Sequence, residues 1–185
     1  MQKPLVNSAY IDAANLHNGI LAQGWKLDYR RFRAWLKEKY GVRDAYLFIG
    51  LMPGRAAMYT NMQRAGFILV FKEVVYNSDG KAKGNCDADL VLQCVVDFFG
   101  KKYAQAVIVS SDGDYACLVK FLQEQQAIET VVSPSIQKRC SILLKKTSAP
   151  ITYLGDPRLR HLFEYKPAKN KEAPDTDGTA RGSSS

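Results

Sequence analysis

Short, nearly uninterrupted apolar runs alternate with longer stretches of helical periodicity along most of this chain, and that alternation restricts its fold more than any other feature. Residues 6–12, 45–49, 67–75, 106–110 and 128–132 read as strands, and they lack the polar alternation of a strand with one wet face. Such strands belong in a parallel sheet covered by helices on both sides. The intervening segments supply those helices. Asp28 is placed to cap a helix through about residue 39, whose Phe32, Leu36 and Tyr40 share one side. Pro53 suits the first turn of a helix that Gly66 terminates. Residues 87–99 read as a mostly buried helix ended by Gly100, and 114–126 as the next. Beyond Pro134 the pattern allows a helix near 138–146, a short strand at 151–154 and a helical turn around 158–163. Asn77-Ser78-Asp79-Gly80 is a turn signal that folds the end of the third strand back as a short hairpin. The expected architecture is a three-layer α/β/α domain with a mostly parallel central sheet of about five strands.

Composition bounds the rest. A chain of 185 residues, 46% hydrophobic and 24% charged, has enough core for one domain, placed at residues 1–165. Residues 166–185 are too polar to pack and read as a disordered tail. Lys166, Lys169, Lys171 and Arg181 are nearly balanced there by Glu172, Asp175 and Asp177, a surplus of +1, so +7 of the formal net charge of +8 belongs to the domain. No apolar run approaches the roughly 20 residues that span a bilayer. The N-terminus also lacks the pattern of a secretory signal, so a cytoplasmic location without membrane partners is expected. Four cysteines without CxxC spacing read as free thiols of a reducing compartment rather than as a zinc site. Two histidines in no metal-ligand pattern argue against a histidine-dependent hydrolase, and GxxxxGK[ST] is absent.

Five aspartates carry the functional signal: Asp12, Asp87, Asp89, Asp112 and Asp114. Asp12 ends the first strand and Asp112 follows the fourth; if the sheet order is 3-2-1-4-5, those two strands are neighbours at the switch point, where open α/β sheets bind ligands. Asp114 stands at the start of the next helix. Neighbouring carboxylates cannot all stay ionised unaided, and divalent cations relieve the repulsion. An acidic metal centre in a basic domain points to phosphodiester chemistry. Arg30, Arg31, Arg33, Lys37 and Lys39 form a basic run that reads either as a solvated helix face or as a track for a nucleic-acid backbone, with Arg30 and Arg33 as candidate contacts.

Ile11-Asp12-x-x-Asn15, Ala65-Gly66-Phe67, Lys83-Gly84 followed by Asp87, and Ser110-Ser111-Asp112-Gly113-Asp114-Tyr115 occur in this order. The set, over roughly residues 4–155, resembles the LabA-like NYN domains, a branch of the PIN-like nuclease superfamily. The resemblance implies a PIN-like fold, with its sheet in the order 3-2-1-4-5, that binds Mg²⁺ or Mn²⁺ and acts on RNA, and it falls on Asp12, Asn15, Lys83, Asp87, Asp112 and Asp114. On that basis Asp12 and Asp112 are direct metal ligands, and Asp87 and Asp114 are direct or water-mediated ones. Asn15 bonds an acid or a phosphate, and Lys83 reaches the phosphate. Gln93 stands where many relatives carry a further acid, with Asp89 as the nearest substitute. Gln126 stands where a glycine usually precedes the fifth strand. The expected function is a metal-dependent nuclease, an endoribonuclease by preference, with homo-oligomerisation implied by the superfamily. The alternative is an NYN domain that binds RNA without turnover. A haloacid-dehalogenase-like phosphatase is disfavoured, because Ala14 occupies the position of its second aspartate.

Overall fold

Strand β1 (Asn7–Asp12) sends Ala9 and Ile11 into one apolar cluster and Tyr10 into another, which is how a strand buried on both faces must divide its side chains. The computed structural model describes residues 6–72, the backbone of 75–76 and 82–83, and residues 86–166. Around β1 it places β2 (Val42–Gly50), β3 (Ile68–Lys72), β6 (Ala106–Val109), β7 (Ile128–Ser133) and β8 (Ile151–Tyr153). The six-stranded sheet runs β3-β2-β1-β6-β7-β8, and every neighbouring pair is parallel. Counted within the sheet this is 3-2-1-4-5-6, the expected order extended by the edge strand β8.

Right-handed crossovers put helices on opposite faces when the chain moves in opposite directions along the sheet. Helices α1 (Ala13–Leu21), α2 (Tyr29–Tyr40) and α3 (Ala56–Arg64) accordingly bury Leu16, Ile20, Phe32, Leu36, Tyr59 and Met62 against one face. Helices α4 (Asp87–Phe99), α5 (Ala116–Glu124) and α6 (Ile142–Lys145) bury Leu90, Cys94, Leu118, Leu122 and Leu144 against the other. The direction reverses between β1 and β6. The carboxyl ends of those two strands therefore diverge into a crevice.

Local chemistry explains where elements differ from the sequence reading. Helix α1 was not expected. Its apolar positions Ala13, Leu16 and Ile20 follow helical spacing and Asp12 caps it, but Gly19 interrupts the pattern. A Cβ on Gly19 would meet the Pro134 ring at 3.0 Å, so the glycine serves close packing. Helix α3 starts at Ala56 rather than at Pro53, because Gly54 has φ +78° and cannot be helical. Strand β3 stops at Lys72. The segment β4 (Val75–Tyr76) pairs antiparallel with β5 (Ala82–Lys83) in a separate two-stranded sheet, whereas the hairpin was expected as a continuation of the third strand. The turn signal at 77–80 and the tail from 167 onward lie outside the described residues.

Helix α7 (Pro157–Phe163) returns to the first face. Fully buried Phe163 meets Trp25, Phe32 and Trp35 at ring-centroid distances of 6.1, 6.0 and 5.4 Å. The backbone seals this junction, since Asp28 N–H donates to Phe163 O at 2.8 Å and Tyr165 N–H to Lys26 O at 2.8 Å.

Gln126 has φ +53°, in the left-handed region where a side chain is strained. Gln126→Gly is expected to raise stability by about 0.5–1 kcal/mol, the strain relieved less the extra entropy of glycine. Urea denaturation of the two proteins checks this.

Candidate metal centre

Asp12 is both the last residue of β1 and the N-cap of α1. Its Oδ1 accepts from the Asn15 backbone N–H at 2.9 Å. The same capping chemistry acts on the neighbouring strand end, where Asp112 caps a 3-10 turn (Gly113–Tyr115) and its Oδ1 accepts from Asp114 N–H at 3.1 Å. Asn15 ties the two ends together, its Oδ1 accepting from Ser111 N–H at 2.8 Å.

Asp87 arrives from the first turn of α4. Carboxylate oxygens of Asp87, Asp112 and Asp114 lie within 4.8 Å of one another. Asp12 stands beside this trio and is joined to it through Tyr115, whose buried hydroxyl donates to Asp12 Oδ2 at 3.3 Å and to Asp87 Oδ1. Burial, first, and the Asp87 charge push the Asp12 carboxyl above the usual range, while the Asn15 N–H and the Tyr115 hydroxyl oppose that rise. Burial beside the same acids pushes the Tyr115 phenol up, so it stays a donor.

The acids open into a cavity of about 860 Å³, lined by Asp12, Asp87 and Asp112 along with parts of α1, α3 and the end of β2. Cys86 also lines it, but its thiol, pushed up to about 11 by burial and by the charge of Asp12, does not belong to the group of donor atoms lying within 4.8 Å of one another. What remains is an all-oxygen carboxylate set, compatible with a hard divalent cation rather than with zinc held by sulfur.

Other expected site residues are placed differently. Asp89 is held by Lys72 Nζ at 2.6 Å and does not line the cavity. Arg33 acts as a clamp, donating from Nε to Gly66 O at 2.9 Å and from its terminal nitrogens to the carbonyls of Val42 and Arg43 at 3.3 and 2.5 Å. Those three bonds use the guanidinium to fasten α2 to the edge of the sheet, which leaves little of it for a phosphate. Arg30 is exposed on α2 and does not line the cavity, whereas Asn15 does. The Lys83 side chain lies outside the described residues. Gln93 donates to Oδ1 of buried Asp97 at 2.8 Å, a carboxylate that also accepts from Tyr10 O–H at 3.0 Å and pairs with exposed Lys102 Nζ at 2.7 Å.

Tyr115 escaped the sequence reading because a buried tyrosine after an acidic turn has no signature apart from the fold. Tyr115→Phe keeps the ring in the core and leaves two acids without their shared donor. A loss of about 1–2 kcal/mol is expected in chemical denaturation.

A family model described as the NYN domain matches residues 8–148. No curated protein sequence matches the chain. Among solved structures, a protein of unknown function from Vibrio parahaemolyticus RIMD 2210633 is similar, with a TM-score of 0.70 and 20% sequence identity. The likeness covers 89% of this chain and 100% of that one, and at this identity it concerns the fold alone. Among the described residues, no helix is long and apolar enough to cross a membrane.

Proposed function

Because this chain belongs to the NYN domain family, within the PIN-like nuclease superfamily, we propose that it is a metal-dependent endoribonuclease. The observation that carries this reading is the convergence of the Asp87, Asp112 and Asp114 carboxylates, beside Asp12, at the crevice between β1 and β6.

Asp12, Asp87, Asp112 and Asp114 would hold Mg²⁺ or Mn²⁺, Asp12 and Asp112 directly and Asp87 and Asp114 directly or through water. A divalent ion bound there supplies Lewis-acid polarisation of the phosphate and a more acidic water. Asn15 fixes the spacing of the two strand ends by its bond to Ser111, and Tyr115 holds Asp12 and Asp87 at one donor. The +8 charge draws the RNA backbone toward an acidic centre that would otherwise repel it.

Incubation of the purified chain with single-stranded RNA and Mn²⁺ or Mg²⁺ tests the reading. Internal cleavage that EDTA abolishes is expected, and intact RNA under all metal conditions would refute turnover. Gln93, standing in place of an acid and committed to Asp97, favours a second reading, an RNA-binding module without hydrolysis. Salt-dependent binding without cleavage, unchanged by Asp112→Asn, would select it.

A further inference from the structure

The cavity beside the acids is rich in sulfur. The chain has four methionines, and three of them, Met52, Met58 and Met62, line this cavity. Met58 and Met62 lie one turn apart on α3, and Met52 belongs to the loop after β2. Met62 is buried, Met58 half-buried and Met52 37% exposed, so the thioethers run from floor to rim. Tyr29 adds an aromatic ring to the lining, and burial pushes its phenol up to about 12, so the ring stays neutral. Unbranched, polarizable thioethers adapt to flat π surfaces and make favourable contacts with them.

Cations flank this arrangement. Arg55 follows β2 and Arg139 follows β7, and both line the cavity. Neither guanidinium is paired with a carboxylate among the described residues. From β2 to β7 is three strand spacings, roughly 14 Å at about 4.8 Å each. The acids lie between the two arginines and the methionines on the Arg55 side.

We infer that the methionine recess is a nucleobase site, which takes one unstacked base of a single-stranded RNA whose backbone crosses the acids between Arg55 and Arg139. This rests on the nucleic-acid reading above and adds a substrate class to it. The two arginines match phosphates on either side of the metal-binding acids, and the recess between them offers apolar surface of the kind that buries a base face. A base stacked and paired in a duplex cannot enter, so the site selects unpaired strands.

The test uses the full chain labelled with [methyl-¹³C]methionine, with Ca²⁺ present, and three probes: hexa-adenylate RNA, its fully abasic analogue and a duplex RNA. Hexa-adenylate is expected to shift the methyl signals of Met52, Met58 and Met62 upfield by ring current. It should also bind roughly fivefold more tightly than the abasic strand, and the duplex should leave these methyls unshifted. Unshifted methyls with hexa-adenylate bound, equal affinity for the abasic strand, shifts reproduced by the duplex, or no binding at all would each overturn the base site. Methyl shifts without any metal-dependent cleavage uphold the base site and remove the nuclease reading; cleavage without methyl shifts does the reverse.

Discussion

Asp12→Asn is expected to lower metal-dependent RNA cleavage by about 100-fold or more while leaving the fold intact. Loss of a group that merely supports a metal ligand commonly costs about 10–100-fold. Removing a carboxylate charge from the centre itself belongs at the upper end or beyond. Structural damage is not a competing explanation, because asparagine caps a helix as well as aspartate does and keeps the oxygen that accepts from Asn15 N–H. The sign of the stability change supplies a second reading. Burial holds the Asp12 carboxyl above its ordinary value of 3.8, so without metal the ionised form is penalised in the folded state. That penalty is complete above the raised folded value and disappears as pH falls below the ordinary carboxylate range. Without metal, Asp12→Asn should therefore be more stable than the parent at pH 7, with the gap closing in acid. Thermal melts across pH, run beside cleavage rates, check both parts. A variant that is inactive because it is unfolded contradicts the account.

Phe163→Ala is expected to cost about 3–5 kcal/mol, on the order of 10 °C in melting temperature for a domain of this size. The residue lies beyond the segment 8–148 matched by the family model, so family membership alone assigns it no role. Its ring is fully buried among Trp25, Phe32 and Trp35, and truncation opens a cavity that rigid aromatic neighbours cannot refill. Two backbone hydrogen bonds, Asp28 N–H to Phe163 O and Tyr165 N–H to Lys26 O, further bind the terminal segment to the start of α2. Denaturant titration of Phe163→Ala against the parent provides the measurement. A change below about 1 kcal/mol would show that α7 is an appendage.

The parallel sheet was legible because both-face burial leaves apolar runs without alternation; its order came from the family resemblance, and the meeting of Asp12 and Asp112 followed from that order. The edge strand β8 was visible as a segment, but its place beside β7 depends on pairing that local sequence does not encode. Helix α1 was hidden by Gly19, whose reason for being there is Pro134, far away in the chain. Arg33 looked like part of a basic helix face because the three carbonyls it clasps belong to other elements. Tyr115 and the methionine wall share that property. Their roles consist entirely of tertiary neighbours.

The central claim is that the carboxylates at the β1/β6 crevice form a divalent-metal site. Anomalous diffraction from crystals soaked in Mn²⁺ tests it most directly, with Asp112→Asn as the control. The account predicts manganese density bounded by the carboxylates of Asp87, Asp112 and Asp114, beside Asp12, and its loss or marked weakening in the variant. Millimolar Mn²⁺ leaving that crevice without density, or the same density persisting in Asp112→Asn, would contradict it.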